Sequence, residues 1–147
     1  MRFELLTAAH PRWEEAARYA EECSWHAGKA LADDMRNGKF ADWERVLIAE
    51  EGESIRGFCT VAKRDCIPDE RYTPFIGFVF VDEKSRGHRL SQRLIECAMD
   101  YLKQRGFQRV YLTSDHENLY EKYGFRVIDR QRAFWDGMEK VYTRELP

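Results

Sequence analysis

"VDEKSRGHRLSQRL", residues 81–94, lies between an apolar run and an amphipathic one, and its reading decides the fold. Before it, "PFIGFVFV" (residues 74–81) is apolar throughout, as a central strand covered on both faces would be. After it, Leu90, Leu94, Ile95, Ala98 and Leu102 recur on one stripe of a helix that Gly106 ends. A buried strand therefore hands over to a helix through a turn that carries Arg86, His88 and Arg89. A helix N-terminus exposes unpaired backbone N–H groups and about half a positive charge. With Gly87 in the turn, the amides of residues 86–91 converge on one point outside the sheet, and Ser91 adds a hydroxyl. That array suits a phosphate or pyrophosphate. The same string also reads as a solvated basic helix start. Positive side chains there oppose the helix dipole, however, and a bound anion would relieve the conflict.

Outward from this junction the chain reads as alternating elements. "RFELL" (residues 2–6) makes a first strand, and His10-Pro11 opens a helix with Trp13, Ala16, Ala17 and Ala20 at helical spacing. A second helix spans about 29–36 and stops at Asn37-Gly38. "WERVLIAE" and "SIRGFCTVAK" form a hairpin across Glu51-Gly52-Glu53, and Arg64–Thr73, with Pro68, is loop. "RVYLTS" is a further strand, and "HENLYEKYGF" a short helix closed by Gly124. The last pair of strands turns at Trp135-Asp136-Gly137. The order β-α-α-β-β-β-α-β-α-β-β is one mixed α/β layer domain over residues 1–147.

Composition narrows the function. The chain is 147 residues long, 44% hydrophobic and 34% charged, with a net charge of -2. That balance argues against a nucleic-acid binder working through a broad basic field, and hence against a tRNA-directed enzyme. No apolar run approaches the ~20 residues of a membrane span, and the N-terminus lacks the core of a signal peptide. Cys23, Cys59, Cys66 and Cys97 show neither C-x-x-C spacing nor a His partner at zinc-ligand spacing, so no metal is expected. They read as free thiols, which suits a reducing cytoplasm.

Two motifs carry a resemblance. Val81, the turn Asp82–Ser85 and then Arg86-Gly87-His88-Arg89-Leu90-Ser91 resemble the central motif of the GNAT superfamily of acyl-CoA-dependent N-acetyltransferases, a strand ending in Val followed by R/Q-x-x-G-x-G/A at a helix start. Arg89 stands where the family usually has Gly, and Ser91 where it has Gly or Ala; Arg89 is expected in helical φ/ψ. "LYEKYGF" (residues 119–125), about 30 residues on, is similar to the family's L-Y-x-x-x-G-F. The resemblance spans nearly the whole chain. It implies a mixed central sheet flanked by helices whose fourth and fifth strands splay apart, with acetyl-CoA as co-substrate. It implies that Val79, Phe80 and Val81 offer backbone to the pantetheine arm, and that Arg86, Gly87, His88, Arg89, Leu90 and Ser91 wrap the pyrophosphate. The amine acceptor, on a small molecule or peptide, would enter from the opposite mouth, between the first two helices and the closing hairpin. A homodimer is left open.

The reaction needs a neutral nucleophile, a polarised carbonyl and a protonated leaving thiolate. The resemblance places Tyr120 as the acid, and an ordinary phenol with pKa near 10 is matched to an alkyl thiolate. The other reading of Tyr120 is an aromatic packing residue with its hydroxyl on a backbone carbonyl. Many members of the family use a Glu on the fourth or fifth strand as base, yet neither "PFIGFVFV" nor "RVYLTS" contains an acid. Thr113 falls where the family often has an Asn on the cofactor. His116, with an ordinary pKa near 6.5, is the candidate base; it reads equally as a surface His beside an N-capping Asp115. A proton relayed by solvent is the third option. Trp25 and His26 line the acceptor pocket or pack, and Asp33 and Asp34 draw a cation or face solvent. A non-catalytic acyl-CoA-binding or sensing domain is the alternative function.

Overall fold

Continuous buried runs along Arg45–Glu51 (β2) and Ser54–Ala62 (β3) build a hairpin covered on both faces, paired from Arg45↔Val61 to Glu51↔Ser54. Residues 1–147 are described by a computed structural model. Arg2–Leu6 (β1) adds to the outer side of β2, and Phe75–Val81 (β4) to the other side of β3. Two helices, Trp13–Glu22 (α1) and Ala27–Arg36 (α2), separate β1 from β2. Pro11 lies outside α1, in the turn before its N-cap Arg12. Leu90–Gln104 (α3) connects β4 to Arg109–Ser114 (β5), the crossover that a parallel pair requires. Arg126–Arg132 (β6) and Met138–Glu145 (β7) close the sheet in the order β1-β2-β3-β4-β5-β7-β6. The expected helix at residues 116–125 is a single 3-10 turn, Tyr120–Tyr123. Asn118 and Gly124 flank it in left-handed conformations, which leaves too few residues for an α-helical turn and its caps.

Each face of the sheet is covered differently. Cys59, Val61, Ile76, Val110 and Leu112 meet the apolar stripe of α3, while Val46, Ile48, Phe58 and Phe80 meet α1 and α2. Each such buried Leu, Ile or Phe contributes about 1.5–3 kcal/mol. The small residues Ala16, Ala17 and Ala20 bring α1 close to its neighbour, and a Cβ on Gly28 would fall 2.1 Å from the Ala20 carbonyl oxygen. Glu50, fully enclosed on β2, is paired with Arg12 at the start of α1 and with Arg2, so the helix entry is tied to the sheet by compensated charge.

The sheet opens at one place. β4 and β5 share a single pair, Phe75↔Tyr111, with the Tyr111 N–H donating to the Pro74 carbonyl at 2.9 Å. Beyond it the strands part, which is the splay that the resemblance implied. Phe78 holds a left-handed φ of 47°, and the β3–β4 register shifts between Phe58 and Thr60. A bulge of this kind bends and twists its strand, here away from β5. Chain topology thus puts the gap in the middle of a seven-stranded sheet, between two strands that are both backed by α3.

Candidate active site

Past the fork, β4 is paired on its β3 side only: Phe80 faces Phe58 and Val81 faces Gly57. Phe80 and Val81 are buried and Val79 half-buried. The side of β4 toward β5 therefore carries unpaired backbone groups, and one of them has found a substitute: Arg86 Nε donates to the Val81 carbonyl at 3.0 Å, with its guanidinium over the Phe80 ring. Backbone groups left this way accept a strand-like partner.

The basic junction follows directly. Asp82 accepts from the Ser85 N–H at 3.0 Å, which closes a 3-10 turn over Glu83–Ser85. Gly87 then takes φ +86° and Arg89 φ 57°, ψ 26° before α3 starts at Leu90. The expectation of helical φ/ψ at Arg89 is corrected: the chain must turn left-handed there to aim the α3 N-terminus, which is why glycine suits the position. No side chain caps α3, and its first turn contains no acid. Its first amides are thus without intrahelical acceptors, and Arg86, Gly87, His88 and Arg89 are all exposed around them. Leu90 is buried beneath. Ser91 is committed elsewhere, its hydroxyl 2.9 Å from that of Tyr123. A left-handed non-glycine residue costs about 1–2 kcal/mol, partly offset because glycine loosens the unfolded chain by about 0.4–1 kcal/mol. Arg89→Gly is expected to raise stability by roughly 0.5–1 kcal/mol on that balance. Urea unfolding of the two proteins checks this; a less stable variant would show that Arg89 makes contacts worth more than its strain.

Tyr120 is buried, with Tyr142, Tyr123 and Phe125 at 5.7, 6.0 and 6.5 Å between ring centroids. Tyr142 donates to the His116 carbonyl and Tyr123 bonds Ser91, but the Tyr120 hydroxyl has no hydrogen-bond partner within the chain. Burial pushes its phenol well above the ordinary 10, reinforced by Tyr123 and other acidic neighbours. The His116 ring is exposed and sits 6.3 Å from that of Tyr120. The backbone N–H of His116 donates to the Ser114 hydroxyl at 3.0 Å, so Ser114 shapes this loop where Asp115 was expected to.

Four residues read from the sequence have the following surroundings. Thr113 directs its hydroxyl to the Asp65 carboxylate, not along the gap, and Cys66 Sγ lies 3.2 Å from the same hydroxyl. Trp25 is half-buried and stacks on Phe80 at 6.2 Å, with Phe78 at an equal distance, so it packs against the bulged half of β4. Asp33 is exposed on α2, and Asp34 half-buried. Asp65 lies in a stretch, Arg64–Thr73, that reads from the sequence as plain loop. The signal was weak: the sequence contains many exposed acids, and only the folded loop lays this one across β4.

With the geometry in place, the chain was compared with known proteins. The model of the acetyltransferase (GNAT) family matches residues 3–125. N-alpha-acetyltransferase 30 of Saccharomyces cerevisiae is 32% identical over 94 residues, covering 60% of this chain and 53% of that protein. The chain thus spans about half the length of that curated relative. The aminoglycoside 6'-N-acetyltransferase from Enterococcus faecium superposes with a TM-score of 0.74 at 14% identity, covering 100% of this chain and 98% of the other. A GNAT family acetyltransferase from Elizabethkingia anophelis, solved with acetyl-CoA bound, superposes with a TM-score of 0.69 at 18% identity over 99% and 97% of the two chains. Likeness at these identities is likeness of fold.

Proposed function

The chain belongs to the GNAT acetyltransferase family, and from that premise we propose that it is an acetyl-CoA-dependent N-acetyltransferase acting on a primary amine of a small molecule or peptide. The observation that carries this is the opened β4 edge, with uncapped helix amides at its α3 end and a buried Tyr120 whose hydroxyl has no partner within the chain. The residues present fit acetyl-CoA. Val79, Phe80 and Val81 would pair with the amides of its pantetheine arm once Arg86 releases the Val81 carbonyl. The exposed turn from Arg86 to Arg89 and the amides leading into Leu90 and Ser91 would hold the pyrophosphate. Bound there, acetyl-CoA supplies an activated acyl carbon near the fork. Tyr120 gives its proton to the departing sulfur, and its burial keeps the phenol protonated until then. Two side chains would be candidates to take the acceptor's proton, His116, whose ring lies 6.3 Å from that of Tyr120, and Asp65, which bonds Thr113.

The acceptor's class follows from charge and access. A chain of net charge -2 repels a polyanion, and the acids near the fork favour a cationic amine over a hydroxyl. A panel of small amines and peptides is to be incubated with acetyl-CoA while free thiol is measured. Turnover with at least one primary amine, and none with tRNA alone, is expected. Acetyl-CoA binding by calorimetry without turnover on any acceptor would replace this reading with that of an acyl-CoA-binding domain.

A further inference from the structure

Resting on the N-acetyltransferase reading above, we propose that Asp65 is the base that deprotonates the acceptor, and that the acceptor arrives as an ammonium ion. The last shared pair of β4 and β5 is Phe75↔Tyr111, and two residues further along each strand come Gly77 and Thr113. One oxygen of the Asp65 carboxyl lies 2.8 Å from where a Cβ on Gly77 would stand, and the other accepts from the Thr113 hydroxyl at 2.5 Å. The carboxyl therefore bridges the two strands at the point where they separate. A Cβ at position 77 would force the carboxyl to shift.

It lies on the face away from α3. Ile76, Val110 and Leu112 pack toward that helix, so Gly77 and Thr113 point to the opposite side. The β6–β7 turn is tied to the same loop, the Phe134 N–H donating to the Cys66 carbonyl at 2.9 Å. This is the mouth left for the acceptor when acetyl-CoA lies along β4 from the α3 end.

The electrostatics point the same way. Asp65 accepts from a neutral donor, the hydroxyl of Thr113, with the Cys66 thiol 3.2 Å from that same hydroxyl. The titratable groups that bear on it are Cys66 on its own loop, Glu139 on β7 and Tyr120, with Asp115 acting on Glu139; none is a cation. Glu50, fully buried on β2, has two arginines, whereas the half-buried Asp65 has none. A sheltered carboxylate without a counter-ion is costly, and an ammonium group at the fork would supply the missing charge. Burial also raises the Asp65 carboxyl above the usual carboxylate range, outweighing its hydrogen bonds, and so strengthens it as a base.

The proton count closes. Asp65 takes one proton from the ammonium nitrogen, whose freed electron pair forms the C–N bond to the acetyl carbon. The C–S bond breaks, the sulfur leaves with its electron pair, and Tyr120 protonates it. The second proton lost by the nitrogen restores Tyr120 through solvent, and the proton on Asp65 passes to bulk water.

The test is Asp65→Asn in the full chain, with kcat and the acceptor's kcat/KM followed from pH 6 to 9. A fall of about 100-fold or more at pH 7 is expected, with CoA affinity by calorimetry unchanged. The residual kcat/KM for the acceptor should climb about tenfold per pH unit below the amine's own pKa, because only amine already neutral in solution reacts. Thr113→Val provides a second readout. Removing a hydrogen bond to the carboxylate raises its pKa, so the acidic limb of the rate profile should move to higher pH, which a merely structural strut would not produce. Wild-type kcat and profile in a folded Asp65→Asn protein would overturn the proposal, as would an acidic limb abolished by His116→Ala instead. If Asp65→Asn does not fold, an unmoved limb in Thr113→Val overturns it. A wild-type protein that acetylates no amine sinks the transferase reading and this inference with it; an active wild type indifferent to both substitutions sinks the inference alone.

Discussion

Tyr120→Phe is expected to lower kcat by about 10- to 1000-fold and to leave the KM for acetyl-CoA nearly unchanged, because an acid acts mainly in the transition state. The substitution is unusually clean. The ring is fixed by Tyr142, Tyr123 and Phe125, all of which a phenylalanine would still touch. Its hydroxyl serves no other group in the chain, so its loss leaves no orphaned partner and the thermal midpoint should stay within a degree or two. The raised phenol also predicts that no alkaline limb below pH 9 arises from Tyr120, since it remains protonated throughout. Steady-state kinetics with a slow acceptor, where chemistry limits the rate, are the measurement. Undiminished turnover there would reduce Tyr120 to packing.

The double variant Arg86→Glu, Arg89→Glu is expected to weaken CoA binding by roughly 1–3 kcal/mol per site, the scale of charge-assisted hydrogen bonds. Both side chains are exposed beside the uncapped start of α3, so each reversal puts a negative charge where two phosphates would lie. The effect should shrink with added salt, as an electrostatic contribution among exposed groups does. Arg89 carries no other visible duty, whereas Arg86 must release the Val81 carbonyl before CoA can pair there, so Arg86→Glu should show the smaller loss when each is made singly. Calorimetry that finds the double variant binding CoA like the wild type would remove the phosphate assignment from this turn.

What was legible in the sequence was what repeats along it. The apolar stripe of α3, the hairpin at Glu51-Gly52-Glu53 and the closing turn at Trp135–Gly137 follow from local periodicity and turn chemistry, and the structure has them where expected. The splay was expected from resemblance, not from residues: "PFIGFVFV" reads as one smooth strand, and nothing local announces the left-handed Phe78 or the single pair to β5. Arg89 hid its conformation because arginine is compatible with a helix and only the direction of α3 forces the turn. Asp65 was illegible for a different reason. Its partners, Gly77 and Thr113, lie 12 and 48 positions away, and the loop between Arg64 and Thr73 gains a direction only when laid over β4. Contacts set by tertiary crossing leave no period to find.

Arg86 on the Val81 carbonyl has a consequence for how the molecule survives without its ligand. An unpaired strand edge invites other chains to add to it, and proteins usually guard such edges at the margins of a sheet with charge, bulges or proline. Here the vulnerable edge lies between two strands of the same sheet, flanked by β5 and closed at the outer end by an arginine. Strands of a sheet stand about 4.8 Å apart, so the narrowing gap toward Phe75 admits a thin, unbranched arm far more readily than a polypeptide with side chains on alternate faces. The opening is thus a sieve by thickness, and its guard is a single side chain that a passing strand cannot displace without first burying a positive charge.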